Sequence, residues 1–367
     1  MTRFQLRDGA PGQAPISILA VGLAERTGAA LGQLLKPFEF RLRFADDSQH
    51  TWALVEIERP ELLVVDASMP HAASLLRTSD ERLGLPSVVL CRRDVDRPLL
   101  VELLAAGALD ALPSDLLEAS PSRELPDARG VFLDALRDAS AARLHARRLG
   151  TAARRSLSGE LFLGVRVPGA GQELPTLVAV AGATGALDAL RFMLAGLPDD
   201  APGLIVAQHG SHAFVEAARA ELAGACRVRV RVARHGDRVE PGLVLLAPGG
   251  RHMRAVRRGS GYRVSISDGP LVARHRPSAD VLLQSASEAA GNATIGVILS
   301  GTGQDGCDGA AAVKRCRGAM FAQDAATSIA FGMPGAAVAR GVVDVSAAHT
   351  HLPALLMQRA IGPRGRA

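Results

Sequence analysis

Aromatic residues make up only 3% of this 367-residue chain, with a single Trp and a single Tyr. That shortage removes the stacking platforms used by most single-stranded nucleic-acid binders, although the net charge is +5. Lysine is nearly missing: Lys36 and Lys314 are the only two, and arginine dominates everywhere. Such a balance reads as composition bias, not as a nucleic-acid patch. The four cysteines, Cys91, Cys226, Cys307 and Cys316, have no CxxC spacing. They fit reduced thiols better than a disulfide framework or a zinc site. No apolar run approaches the ~20 residues of a membrane helix. The opening MTRFQLRDGAPGQAP carries no hydrophobic signal core. These absences lead to the expectation of a cytoplasmic protein with no metal, no cofactor, no nucleic-acid partner and no membrane insertion.

What is present is aliphatic. Apolar residues form 48% of the chain, enough for two cores. From Ile16 to Leu112, apolar runs alternate with helical stretches. ISILAVG, ELLVVD (ending at Asp66), PSVVLC (ending at Cys91) and ALDALP read as strands, and residues 24–36 and 99–107 as helices. Buried strands alternating with helices imply a parallel, doubly wound sheet. Phe132, Ala135, Leu136, Ala139 and Ala142 then recur at helical spacing, before an arginine-rich, Gly/Pro-rich segment. A second α/β unit starts near Thr176, with strands TLVAVAG, GLIVAQ, LVLLAP, TIGVILSG, AMFAQ and a short VVDVS. Helices are expected at 214–222 and 279–290, the latter capped by Ser278. In RVRVRVARHGDR, from Arg227, strict alternation predicts a strand with valines inward and arginines in solvent; an acidic partner is the competing reading. The expected fold class is therefore α/β, two doubly wound parallel-sheet domains. Residues 14–150 form the first with its closing helix, 151–175 a linker, and 176–358 the second.

In open α/β sheets, ligands sit beyond the carboxyl ends of the strands. In the second unit those ends carry Ala183-Thr184, His209, the Gly249–His252 loop and the Thr302–Asp305 turn. VAVAGATGALDALR, from Val178, reads as strand, sharp small-residue turn and helix. A His and an Asp at two strand ends, facing that elbow, match a nucleophile–His–Asp triad. Taken singly, a His after a strand or an Asp in GTGQDG is more often structural. The elbow alone could also bind an anion. GATGAL lacks GxGxxG, however, and no GxxxxGK[ST] occurs, which argues against a nucleotide.

Several motifs in order resemble the catalytic domain of the CheB family, the chemotaxis protein-glutamate methylesterases, over residues ~176–350. They are Ala207-Gln208-His209, RHGDRVEPG, APGGRHM, RHRPSADVL, GVILSGTGQDG and FGMPGAA. The resemblance implies a receiver domain in front of a domain that hydrolyses glutamate methyl esters on chemoreceptors, releasing methanol. It puts the triad His on His209 and the Asp on Asp305. It puts the nucleophilic Ser at Ala183, and the oxyanion-hole N–H on Thr184. The phosphoacceptor position is Asp66. The carboxylate pair that would hold Mg²⁺ reads Gly22-Leu23, the switch hydroxyl reads Cys91, and the expected Lys reads Ser114. Conventional aspartyl phosphorylation is therefore not expected.

An alanine methyl cannot attack an ester. Three readings follow. The chain is a pseudoenzyme or scaffold that binds a chemoreceptor cytoplasmic region or another signalling protein. Or it is a weakened methylesterase in which Thr184, or a nearby hydroxyl such as Ser211, serves as nucleophile. Or Ala183 is an engineered inactivation, a reading that leaves Gly22, Leu23, Cys91 and Ser114 unexplained. His252 and His275, in APGGRHM and RHRPS, could equally be structural loop residues.

Overall fold

A computed structural model describes residues 15–38, 40–92, 95–117, 128–140, 142 and 175–361. The expected linker lies, except for its last residue, outside the described residues, as do Arg143, Arg147, Arg148, Arg154 and Arg155.

The first sheet comprises β1 (Ile16–Val21), β2 (Phe40–Ala45), β3 (Leu62–Asp66), β4 (Ser87–Cys91) and β5 (Asp110–Pro113). All pair in parallel in the order β2-β1-β3-β4-β5. Helices α1 (Glu25–Leu35), α2 (Ser48–Glu58), α3 (Ala72–Thr78), α4 (Arg97–Ala105) and α5 (Ala128–Ser140) accompany it. The central strands are buried on both faces, as continuous Val/Leu runs require. Strand β2, FRLRFA, was not anticipated. Its arginines point to solvent at a sheet edge, so it lacks the unbroken apolar run that marks its neighbours.

The second sheet is built from β6 (Leu177–Gly182), β7 (Leu204–Gln208), β8 (Arg229–Val232), β10 (Leu243–Leu246), β13 (Thr294–Ile298), β14 (Ala319–Gln323) and β15 (Val345–Ala347). Its order is β15-β14-β13-β6-β7-β10-β8, again all parallel. Between and after these strands run α6 (Ala186–Ala195), α7 (His212–Ala225), α8 (Ala279–Ala290), α9 (Cys307–Arg315), α10 (Gly332–Ala339) and α11 (Leu352–Ile361). In β8, Arg229 and Arg231 are exposed and Val230 is buried, the alternation read from RVRVRV.

A small antiparallel sheet adds to this parallel architecture. Strands β11 (His252–Arg258) and β12 (Gly261–Ser267) form a hairpin, joined by β9 (Arg238–Val239). Its inner face, including Met253, Ala255, Val264 and Ile266, shares one core with Leu282 and Leu283 of α8.

The two sheets are not independent. Helix α4 lies along α7, and their apolar faces merge in one cluster that includes Leu100, Leu103, Phe214 and Ala218. The Ser211 hydroxyl, at the start of α7, lies 3.5 Å from the Ala111 carbonyl of β5. Among the described residues, no helix is long and apolar enough to cross a membrane.

Candidate functional site

Strands β6, β7 and β13 lie side by side, so their carboxyl ends open onto one crevice. At the end of β6 the chain turns sharply into α6. Gly185 makes the turn at φ 76°, and a Cβ there would stand 2.5 Å from the Ile329 Cβ. Only glycine satisfies both conditions. The elbow is tied down from behind. The Ala183 N–H donates to the Ser300 carbonyl at 2.9 Å, and the Ser300 hydroxyl donates to the Thr184 carbonyl at 2.8 Å. The Gln208 side-chain amide donates to the Ala183 and His209 carbonyls, both at 3.0 Å. The His209 N–H donates to the Gly182 carbonyl at 2.9 Å, which fixes the start of His209 beside the elbow.

His209 and Asp305 come together. Their Nε2 and Oδ2 are 2.8 Å apart, and the Asp305 side chain is completely buried. The Asp305 carboxylate also accepts the Ser278 hydroxyl at 2.9 Å and the backbone N–H groups of Ala279 at 2.7 Å and Asp280 at 3.0 Å. It therefore seals the amino end of α8, where the helix dipole favours a negative charge. Burial alone pushes its pKa up. The His209 hydrogen bond and charge and the two N–H groups outweigh that, and hold Asp305 well below the usual carboxylate range. Asp280 moves the other way: burial raises it, and the nearby Asp305 charge adds to the rise.

With Nε2 committed to Asp305, the second ring nitrogen of His209, Nδ1, is buried without a hydrogen-bond partner. Ala183, at the expected nucleophile position, is buried and offers only a methyl group. Its N–H is already used by Ser300. The Thr184 N–H and hydroxyl take no hydrogen bond among the described residues. Ser211 is otherwise engaged: its Oγ accepts the Phe214 N–H at 3.1 Å as the cap of α7.

The two histidines left open by the sequence separate. His252 is structural: its Nε2 meets the Pro270 carbonyl at 2.8 Å, and burial lowers its basicity. His275 belongs to the site. Its ring lies on that of His209, with centroids 3.9 Å apart and planes 14° from parallel. Nothing in the local sequence announced this, because the contact depends on a turn bringing back a residue 66 positions downstream (275 − 209). Asp110, from β5, was also not singled out. Burial pushes its carboxyl up to about 6, opposed by the Ala111 N–H and by the positive charge of His209. A side chain of the first sheet thus stands within electrostatic reach of the crevice of the second.

In the first sheet, Asp66 ends β3, and its Oδ1 accepts the Ser68 N–H at 2.8 Å and hydroxyl at 2.6 Å. At the end of β1, Gly22 has φ 67°, and a Cβ there would stand 2.8 Å from the Met69 sulfur. A thioether thus fills the place where a cation-binding carboxylate is expected, so the residues present do not fit Mg²⁺. Cys91 is buried, with its Sγ 3.7 Å from the Leu112 carbonyl. Ser114 opens the short turn 114–117. No group of three His, Cys, Asp or Glu able to hold a metal occurs among the described residues.

The chain is similar to several known proteins. The CheB methylesterase family model matches residues 178–356. A protein-glutamate methylesterase/protein-glutamine glutaminase of a group 3 operon from Rhodopseudomonas palustris is 34% identical over 309 residues, 82% of this chain and 83% of the relative. A protein of the same description from Shewanella oneidensis is 35% identical over 307 residues, 82% of this chain and 86% of the relative. Among solved structures, the CheB methylesterase catalytic domain of Thermotoga maritima is 29% identical with a TM-score of 0.49, covering 50% of this chain and 98% of that domain.

Proposed function

Since this chain belongs to the CheB methylesterase family, we propose that it serves a bacterial chemosensory pathway in the cytoplasm and engages glutamate methyl esters on chemoreceptor cytoplasmic regions. Residues 14–150 would act as a receiver-like domain, 151–175 as a linker and 176–358 as the ester-binding domain. Hydrolysis is strongly reduced or lost, because Ala183 replaces the nucleophile.

The observation that carries this reading is the His209 Nδ1, without a hydrogen-bond partner among the described residues, on a residue whose backbone N–H is bonded to an elbow that offers only the Ala183 methyl group. In a complete site that nitrogen takes the proton of the attacking hydroxyl and later gives it to the leaving alcohol, while Asp305 steadies the imidazolium. Here only water can be the attacking group, unless Thr184 shifts into position. Water attack with His209 as base converts the ester to the acid and methanol, with the His209 proton passing to the departing methoxide. Loss of a triad nucleophile costs about 10⁶-fold in kcat, and binding and oxyanion contacts leave ~10³–10⁴-fold over water.

A second reading, binding without turnover, is supported by the state of the first sheet. Asp66 stands without its expected cation partners, as the elbow stands without its serine. In that case the partner is a receptor segment or a signalling protein, held and not modified.

Methanol release from a methylated receptor fragment distinguishes the possibilities. The wild-type chain is expected to lie near background, Ala183→Ser to rise above it, and Thr184→Val to match wild type. Family-like turnover in wild type that disappears in Thr184→Val defeats the proposal. Saturable receptor binding with no methanol from wild type supports the scaffold reading.

A further inference from the structure

The RHRPS segment contributes more than a helix cap. Val272 and His275 pair across a two-residue turn, with hydrogen bonds of 3.2 and 2.9 Å between their backbones. The two residues inside that turn, Ala273 and Arg274, have φ of 50° and 69°. Both are left-handed and neither is glycine, a costly conformation that persists only when the surroundings enforce it. The turn sends His275 back onto the His209 ring. Three residues later, Ser278 and then the N–H groups of Ala279 and Asp280 grip Asp305. One continuous stretch, 272–280, therefore touches both members of the His–Asp pair.

We propose that His275 is a positioning residue for His209: its flat ring lies against one face of the imidazole and keeps Nε2 on Asp305 and Nδ1 available to a reacting group. This rests on the reading of His209 as the site's base and extends it to a residue whose side chain makes no hydrogen bond to Asp305 or the elbow among the described residues.

The charges around the stack allow this role. His275 is held neutral, pushed down to about 3, by burial first and then by the His209 charge, with Arg274 adding to the effect and Asp305 opposing it. The groups facing the pair are Arg274 from the turn itself, Asp305 and, behind it, Asp280, with Asp110 on the side of the first sheet. The His209 Nε2 already meets the Asp305 carboxylate. A neutral π-face over an imidazolium is also the favourable arrangement for an aromatic ring beside a cation. A charged His275 would oppose protonation of His209, so its burial serves the base directly.

The test uses the full-length protein and needs no turnover. In ¹⁵N-histidine-labelled protein, long-range proton–nitrogen correlation reads which ring nitrogen of His209 carries hydrogen, and His209→Gln assigns the signals. The wild type is expected to show one neutral tautomer, with hydrogen on Nε2. His275→Ala is expected to mix the tautomers. His275→Phe keeps a flat neutral ring and is expected to preserve the wild-type tautomer. In an Ala183→Ser background, His275→Ala should lower kcat roughly tenfold with KM unchanged, the scale of a misoriented general base. Unchanged His209 signals in a folded His275→Ala protein overturn the inference, and so does tautomer mixing in His275→Phe. If His275→Ala fails to fold, the Phe variant alone decides. Family-like turnover by wild type would sink the proposed loss of catalysis and leave this readout untouched.

Discussion

Met69 packs its thioether against Gly22, at the end of the strand next to the one that ends in Asp66. In a phosphorylatable receiver that position would supply a carboxylate for a divalent cation. Here neither charge nor space is provided, because Gly22 is left-handed as well as crowded. Acetyl phosphate with Mg²⁺ is expected to leave the intact mass unchanged. A stable, Mg²⁺-dependent adduct mapped to Asp66 would contradict this. Gly22→Asp should not restore labelling. It should instead destabilise the protein by roughly 1–3 kcal/mol, through overpacking and backbone strain, as read by urea denaturation.

The buried thiols give a chemical check on the same region. Burial pushes Cys91 up to about 12, and the negative charges of Asp110, Asp115 and Asp66 reinforce the effect. Burial also raises Cys226 and Cys307, whereas Cys316 is exposed. The thiolate is the reactive form. Ellman's reagent at pH 8 should therefore react quickly with Cys316 and leave Cys91 untouched until denaturant is added. Fast labelling of Cys91 in the native protein, located by peptide mapping, would show that β4 and β5 open readily.

Asp305 supports stability as well as any chemistry. Asp305→Ala strands the His209 Nε2, the Ser278 hydroxyl and two N–H groups of α8. Removing one partner of a buried pair costs about 3–5 kcal/mol, so chemical denaturation should register a loss of that order. Its pH dependence follows from the depressed pKa of Asp305. The contribution is complete above the unfolded-chain value of ~3.9 and is lost as pH falls below it toward the folded value. The gap between wild type and variant should therefore narrow only in acid. A gap that stays constant from pH 6 to pH 2 would mean that the carboxylate charge is not the stabilising element.

Asp110 carries the opposite sign. Its carboxyl is raised to about 6, so the ionised form is disfavoured in the packed arrangement. Stability should rise as pH falls through about 6 and reach its full gain below ~3.9. Asp110→Asn removes that titration. Its melting temperature should exceed that of wild type by a few degrees at pH 7.5 and meet it only below about pH 4, by calorimetry. Parallel melting curves at both pH values would show that Asp110 is well solvated at the junction of α4, β5 and α7.

The sequence discloses this fold wherever burial is two-sided. LVAVAG, LIVAQ and TIGVI need no context, because only a strand inside a parallel sheet buries every residue of such a run. FRLRFA and the β11–β12 hairpin were hidden by arginines on their open faces, so their apolar halves looked like scattered residues in a polar loop. The crevice shows the same division. His209 and Asp305 are legible because one directly follows a readable strand and the other lies in the short Gly-rich turn after one. His275 and Asp110 reach the site through a strained turn and through packing between the two sheets, and neither leaves a periodic trace in one dimension.

The Asp305 carboxylate is bonded to the start of α8 by three contacts and to His209 by one. In evolutionary terms, this makes the pair harder to erase than the nucleophile. Alanine at the tip of the elbow leaves the backbone ties of the turn in place, since they run through the Ala183 N–H and the Ala183 and Thr184 carbonyls. Losing Asp305 would unpin a helix, and losing His209 would leave a buried charge without its counterpart. A lineage relieved of hydrolysis would shed the hydroxyl first and go on carrying the base and its acid as structural inheritance. An intact His–Asp pair is therefore evidence of ancestry, and on its own it is no evidence of present turnover.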